Sequence, residues 1–477
     1  MPLDLAAAMG RHLVSSVAGI LTIALVARHL GVDGLAAWAL LSSGMYFFGL
    51  ADLGLATAIY RDAAAGDAAR SRRTVGLALF TLCGAAPVLA LCLAPFAVDL
   101  PSASPALQQA LLRAAPVAVL AGTLQAAVAP YRAFVLIRGG LAALARARVA
   151  AAATQVAALF GLLWWSPSLT APAAAVCAGV ALELVLTARA GRRLDPALPL
   201  WPARAHLKGA RAALREGAAA LVINTSVAAG LRLDVFLLSR FAPLATVAAY
   251  GIASRAVEQC LVLAKQTSTA LLHRLVEARE RDQALTAGTA ILGALVASGM
   301  PALALDGGPL LAAWAGPAAS GGAVALALWL LGGAAVINAA VELPSAAITV
   351  GGRSAWDTAR IIAFGCALNV ALSVAGVPRF GVWAVAGGTV LGNATIAVLI
   401  WRRALRSFSW SAGQMGRALL PLGAAGATSL CAGFALRNGA AAGPLASFAA
   451  CAATTALGCA AAALTVLRSS QAEAEAL

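Results

Sequence analysis

Long apolar runs alternate with short polar gaps along the whole chain. Crossing hydrocarbon takes roughly 20 apolar residues at 1.5 Å rise. The pattern predicts spans near 12–30, 37–60, 74–99, 114–137, 143–165, 171–188, 217–240, 247–272, 285–305, 322–344, 358–377, 381–400, 418–436 and 446–467. The expected fold class is therefore an all-α polytopic membrane protein with about 14 transmembrane helices. Twelve is the alternative count if two weak Ala-rich segments are discounted. The apolar stretch from Leu13 to Ala27 reads as an uncleaved first span, because further spans follow at once.

Charge adds an orientation to this pattern. Twenty-six of the 34 Lys and Arg sit in every second gap or at the two ends, five sit in the other gaps, and three fall within spans. The basic gaps are Arg61–Arg73, Arg132–Arg148, Arg189–Arg215, Arg274–Arg281, Arg353–Arg360 and Arg402–Arg417. Basic loops face the cytoplasm, so an even number of spans puts both termini there. The basic residues there also favour an anionic inner leaflet. Only 11% of the residues are charged and mean hydropathy is +0.87, against about 25% charged in soluble domains. The net charge of +15 is spread over juxtamembrane loops rather than one soluble patch, which argues against a nucleic-acid partner.

The longest basic gap, Ala190 to Glu216, starts Pro-rich and then turns helical in pattern. It is expected to be an amphipathic helix on the inner leaflet joining two halves. A 212-residue shift aligns those halves: Arg28 meets Arg240, Leu35–Trp38 meets Val247–Tyr250, and Ser42 meets Ser254. Two six-span halves facing each other across a cavity are a transporter plan. The expected organisation is an N-lobe over 1–189, a linker over 190–216, a C-lobe over 217–400, and two further spans with a cytoplasmic tail over 401–477.

Charges inside spans are the candidate chemistry. Each costs roughly 2.5–3.5 kcal/mol at a helix centre unless it is paired, wetted or able to snorkel. In the eighth span, Arg255, Glu258, Gln259, Lys265, Gln266 and Thr269 form a polar stripe about 140° wide at 100° per residue. Lipid does not tolerate such a stripe, so it lines a wet cavity, or Arg255 and Glu258 neutralise each other at i,i+3. In the seventh span, Arg232 and Asp234 are two apart and cannot pair on one helical face. A buried network and a cavity role are both open for them. Asp52 lies in Gly49-Leu50-Ala51-Asp52-Leu53-Gly54. It either caps a broken helix or is a protonatable or ion-binding carboxylate. Glu183 sits close to the cytoplasmic end of its span and reads as solvated.

The eight Cys lie in apolar segments with no CxxC pair, and the four His have no ligand spacing. No metal or cofactor is expected. There is no GxGxxG after a strand, no GxxxxGK[ST], no HExxH and no GxSxG. No loop exceeds about 30 residues, so an enzyme is not expected.

Two stretches carry a family resemblance. Ala27 to Arg61, with Arg28 to Gly31, Trp38, and Asp52 to Gly54, resembles the first two spans of Wzx-type polysaccharide transporters. Leu231 to Gln259, with Arg232 to Asp234 and Tyr250, resembles the seventh and eighth. These are flippases for lipid-linked oligosaccharides in the MATE-like (MOP) superfamily. The resemblance implies a two-lobed MATE-like arrangement and alternating access in surface polysaccharide biosynthesis. The cargo would be a polyprenyl-diphosphate-linked glycan. Arg255, Lys265 and Arg232 would hold its phosphates, Gln259 and Gln266 its sugars, and Asp52, Asp234 or Glu258 would couple H⁺ or Na⁺. The protein would act as a monomer, with a polysaccharide polymerase complex as a further partner. The acids inside the spans keep an alternative open, a cation-coupled MATE-type exporter of small amphipathic molecules.

Overall fold

The computed structural model describes residues 2–64, 66–98, 101–207, 209–276, 278–306, 308–316, 321–350, 355–408, 412–437, 446 and 449–460. In these residues the chain is helical almost throughout. The helices are α1 (Pro2–Phe47), α2 (Leu55–Ala64), α3 (Ala68–Val98), α4 (Pro105–Ile137), α5 (Leu141–Trp165), α6 (Thr170–Leu194), α7 (Ala210–Phe241) and α8 (Leu244–Val276). They continue as α9 (Ala278–Asp306), α10 (Gly308–Ala315), α11 (Gly322–Val350), α12 (Ala355–Phe380), α13 (Val382–Phe408), α14 (Ala412–Arg437) and α15 (Ala449–Ala460).

Among the described residues, ten helical segments are long and apolar enough to cross a membrane. One of them, Val17–Asp52, covers both of the first two expected spans. The turn expected between those spans is a kink at Gly31, whose φ of 68° and ψ of −167° suit glycine alone. Helices α8, α14 and α15 stand at the remaining expected spans and are not among the ten.

The second expected span breaks where its glycines allow. A short 3-10 turn covers Phe48–Asp52, Leu53 takes a left-handed φ of 50°, Gly54 has φ of 75°, and α2 then starts afresh. The linker is Pro-rich and then helical, as its pattern reads, but its helical part is the start of α7 rather than a separate helix. Helix α6 runs on to Leu194, and α7 starts at Ala210. Between them only Arg204–Leu207 is helical, as a single 3-10 turn. Pro196, Pro199 and Pro202 remove the amide donors that a helix needs. This strap is also tied down. Leu198 joins a core cluster, Tyr131 Oη donates to the Pro199 carbonyl at 2.9 Å, and Arg72 reaches Asp195 at 3.0 Å.

The chain divides into two compact units, Met1–Ala248 and Ala249–Leu477. In the first, α6 packs on both α4 and α5, α1 on α5, and α7 on α1 and α2. The core there gathers Phe48, Ile59, Val75, Tyr131, Phe134 and Leu144. In the second unit, α12 packs on α13, α9 on α14, and α11 on α9 and α13. Its core gathers Leu285, Leu343, Ile348, Ile400 and Trp401.

Small residues set the closest approaches, as membrane helix pairs require. A β-carbon at Gly217 of α7 would lie 2.8 Å from the Gly54 carbonyl oxygen. One at Gly179 of α6 would lie 2.8 Å from the Ala151 carbonyl oxygen of α5. One at Gly392 of α13 would lie 2.7 Å from the Gly365 carbonyl oxygen of α12. At those separations only glycine fits without moving a backbone.

Candidate functional site

In the first unit the helix break organises a polar site. The Gly54 amide donates to Asp52 Oδ1 at 2.9 Å. Asp52 is buried and caps the new helix start, so the capping alternative for this residue is realised. Ten residues on, Asp62 is buried at the far end of α2. Thr74 Oγ1 donates to its Oδ2 at 2.9 Å, and Arg70 Nε lies 3.0 Å from its Oδ1. Arg70 Nη2 then donates to both oxygens of Glu216 in α7, at 2.8 and 2.9 Å. Arg61 also pairs with Glu216. A continuous ion-pair chain therefore links α2, α3 and α7 beside the Gly54–Gly217 contact. Both Arg70 bonds to Glu216 come from Nη2, while its Nε serves Asp62, so one guanidinium bridges the two acids.

Arg232 and Asp234 are both buried in α7. The Arg232 guanidinium lies 4.7 Å from the centroid of the Tyr46 ring, a cation–π contact.

A second ionic centre lies between α4, α5 and α6. Arg132 Nη2 donates to Glu183 Oε1 at 2.6 Å, and Arg148 Nη1 donates to Oε2 at 2.6 Å. The expectation that Glu183 is solvated is overturned, since only 3% of it is exposed. Its helix packs on both neighbours, and the two arginines satisfy its charge in place of water. Sequence reading had treated Arg132 and Arg148 only as loop charges. It also passed over Asp62 and had placed Glu216 only as the end of a linker. The partners of Arg132, Arg148 and Glu216 are far away in sequence, whereas Asp62 meets Arg70 and Thr74 across the nearby turn into α3.

In the second unit, Arg255 Nη1 donates to Glu258 Oε2 at 3.0 Å, the i,i+3 pair that the spacing allows. Gln259 beside it is half-buried. Lys265 and Gln266 lie on α8, but their side chains fall outside the described residues. Asp357 of α12 pairs with Arg403 of α13. Among the described residues, no group of three or more His, Cys, Asp or Glu is placed to hold a metal ion.

No family model and no curated protein matches this chain. Solved structures do. The lipid II flippase MurJ, in an inward closed conformation, superposes with a TM-score of 0.70 at 11% identity, over 96% of this chain and 98% of its own. The eukaryotic MATE transporter AtDTX14 gives 0.66 at 13% identity, over 88% and 98%. An inward-facing multidrug resistance MATE family transporter of the MOP superfamily gives 0.57 at 15% identity, over 84% and 98%. The chain has an all-α polytopic membrane fold of the MurJ and MATE type.

Proposed function

We propose that this protein is an inner-membrane flippase that moves a polyprenyl-diphosphate-linked oligosaccharide from the cytoplasmic to the outer leaflet by alternating access. The observation that carries this reading is the extent of the MurJ likeness. It covers 96% of the chain, against 84–88% for the two MATE transporters. The difference, about a tenth of the chain, is the length of a helix pair. In this reading the chain has twelve spans in two lobes and two further C-terminal spans, fourteen in all, with both termini in the cytoplasm.

The head of such a lipid is a diphosphate, and moving it through about 30 Å of hydrocarbon needs a shielded polar path. In this reading Arg232, Arg255 and Lys265 hold phosphate oxygens, with Arg supplying forked donors and Lys a point charge. Gln259 and Gln266 meet sugar hydroxyls. The Arg255–Glu258 pair gives Arg255 a resting partner that phosphate displaces. Asp234, Glu258 and Asp52 are the candidates for coupling H⁺ or Na⁺, with Asp52 also committed to its helix cap. A polysaccharide polymerase complex is the proposed consumer of the translocated unit.

The test is a deletion strain. Its polyprenyl-linked oligosaccharides are extracted, and their sidedness is read on spheroplasts with a membrane-impermeant sugar-modifying reagent. Accumulation of complete units on the inner face is the expected result, and it identifies the glycan as well. Normal levels on both faces with intact surface polymer would overturn it. The second reading, a cation-coupled exporter of small amphipathic molecules, draws on the buried acids Asp52 and Asp234. It predicts drug sensitivity of the deletion strain with normal polysaccharide.

A further inference from the structure

The Arg132–Glu183–Arg148 centre is not explained by helix packing. Glu183 stands four residues after Gly179 in α6, and Ile396 stands four residues after Gly392 in α13. Both glycines seat their helices on a neighbour in the same way: a β-carbon at Gly179 would meet Gln155 Cβ at 2.9 Å, and one at Gly392 would meet Asn369 Cβ at 2.9 Å. The same helix pair is thus built with an aliphatic residue where α6 carries an acid. A buried carboxylate that the architecture does not require must be matched by a reason to hold two arginines.

Those arginines reach outward. The Arg132 and Arg148 side chains are 41% and 36% exposed, although both touch the buried Glu183. Two guanidinium groups carry about ten N–H donors, whereas one carboxylate offers about four lone-pair sites. The three side chains carry a formal charge of +1 between them, and both arginines keep exposed surface. Its depth is also defined. Arg132 lies five residues from the end of α4, and Arg148 seven from the start of α5, about 8 and 10 Å along the helix axes. Both helices are long and apolar enough to cross a membrane, and arginines this near helix ends suit headgroup level rather than mid-bilayer. Ile137, Val149 and Val185, all near the centre in sequence, are exposed apolar side chains suited to acyl chains.

We propose that Arg132 and Arg148, oriented by Glu183, bind the phosphate of an anionic phospholipid of the cytoplasmic leaflet. Basic pockets between spanning helices on that side suit such headgroups, and forked guanidinium groups match phosphate oxygens. Glu183 acts as a positioning residue. It holds the two forks side by side in place of the two orientations that repulsion would otherwise drive apart. The inference is independent of which molecule the protein transports.

The test uses the full-length protein in detergent, with its thermal unfolding midpoint read in phosphatidylcholine micelles and in micelles doped with phosphatidylglycerol. The wild type is expected to gain in midpoint with phosphatidylglycerol. In the triple variant R132Q/R148Q/E183Q, which leaves no buried charge behind, the phosphatidylcholine midpoint is retained and the gain is lost. The control R192Q/R193Q, in exposed basic residues of the same end, keeps the gain. If the triple variant does not fold, R132K/R148K keeps the charges without the forks and is expected to lose at least half the gain. The proposal is overturned if the wild type shows no gain, if the triple or the Lys variant keeps the full gain, or if R192Q/R193Q loses as much. It is also overturned if millimolar inorganic phosphate reproduces the gain, since the site would then take a free anion.

Discussion

The helix pairs α5–α6 and α12–α13 are built on one plan and finished differently. In each, a glycine of the second helix presses on the backbone and on one polar side chain of the first: Gly179 on Ala151 and Gln155, Gly392 on Gly365 and Asn369. These positions correspond within two residues of the 212-residue offset that aligns the first helices of the two halves. The finish separates them. In α5–α6 the polar side chain reaches out of the pair, where Gln155 Nε2 donates to Thr22 Oγ1 of α1 at 3.3 Å. In α12–α13 it stays inside, where Asn369 Oδ1 accepts from Ser373 at 3.2 Å and from Thr389 at 3.4 Å. The first pair adds an ionic centre on Glu183, and the second has Ile396 there. Glycine packing is thus common to the two pairs, and the ionic centre beside it belongs to one of them.

Exchanging the distinguishing residue should break the comparison most sharply. Ile396→Glu places an acid in α13 without the arginine pair of α4 and α5, and an intramembrane charge of that kind costs about 3 kcal/mol. The expected result is a sharp fall in monodisperse protein and in thermal midpoint, measured by fluorescence-detected size exclusion. A variant as stable as wild type would show that the two positions are not distinguished by their surroundings.

The shared feature gives the next largest effect. Gly179→Val and Gly392→Val each force side-chain atoms against a neighbouring backbone, at about 2 kcal/mol each by the usual cost of overpacking. Equal losses of midpoint in the two variants are expected. A large loss in one and none in the other would end the claim of a common plan.

Glu183→Ile copies the second pair into the first. The remaining arginines are more than a third exposed, so water screens them and the loss is about 1 kcal/mol. The midpoint should fall less than for Ile396→Glu, in the same assay. The smallest effects concern the polar side chains. Asn369→Ala removes an acceptor in a buried site and should cost about 1 kcal/mol, whereas Gln155→Ala, half-buried, should cost about 0.5 kcal/mol. A reversed order would show that the bond to Thr22 ties α1 to α5 more firmly than the internal bonds tie α12 to α13.

How much of this was legible depends on the distance between partners. The Arg255–Glu258 pair could be read from the sequence because i,i+3 neighbours share a helix face. The break at Asp52 could be anticipated from Gly49 and Gly54, since backbone freedom is a local property. Glu183 could not. Its partners lie 51 and 35 residues away on two other helices, and nothing near position 183 distinguishes a solvated acid from a clamped one. The linker was legible in part. Its Pro-rich start and helical second part are both present, with α7 beginning at Ala210, but the contacts of Leu198, Pro199 and Asp195 that hold the start as a strap are tertiary.

The sequence by itself determined that this chain is a helical membrane protein and where its apolar helices fall. It also determined which gaps are basic. Those properties follow from the energy of apolar residues in hydrocarbon and from charge near an anionic leaflet, which act residue by residue. Only the tertiary structure decided which charges meet. Glu216 joined Arg61 and Arg70, Glu183 joined Arg132 and Arg148, and Arg232 met the ring of Tyr46. An ion pair depends on a separation of a few ångströms, and between helices that separation is set by glycine contacts and crossing geometry rather than by position along the chain.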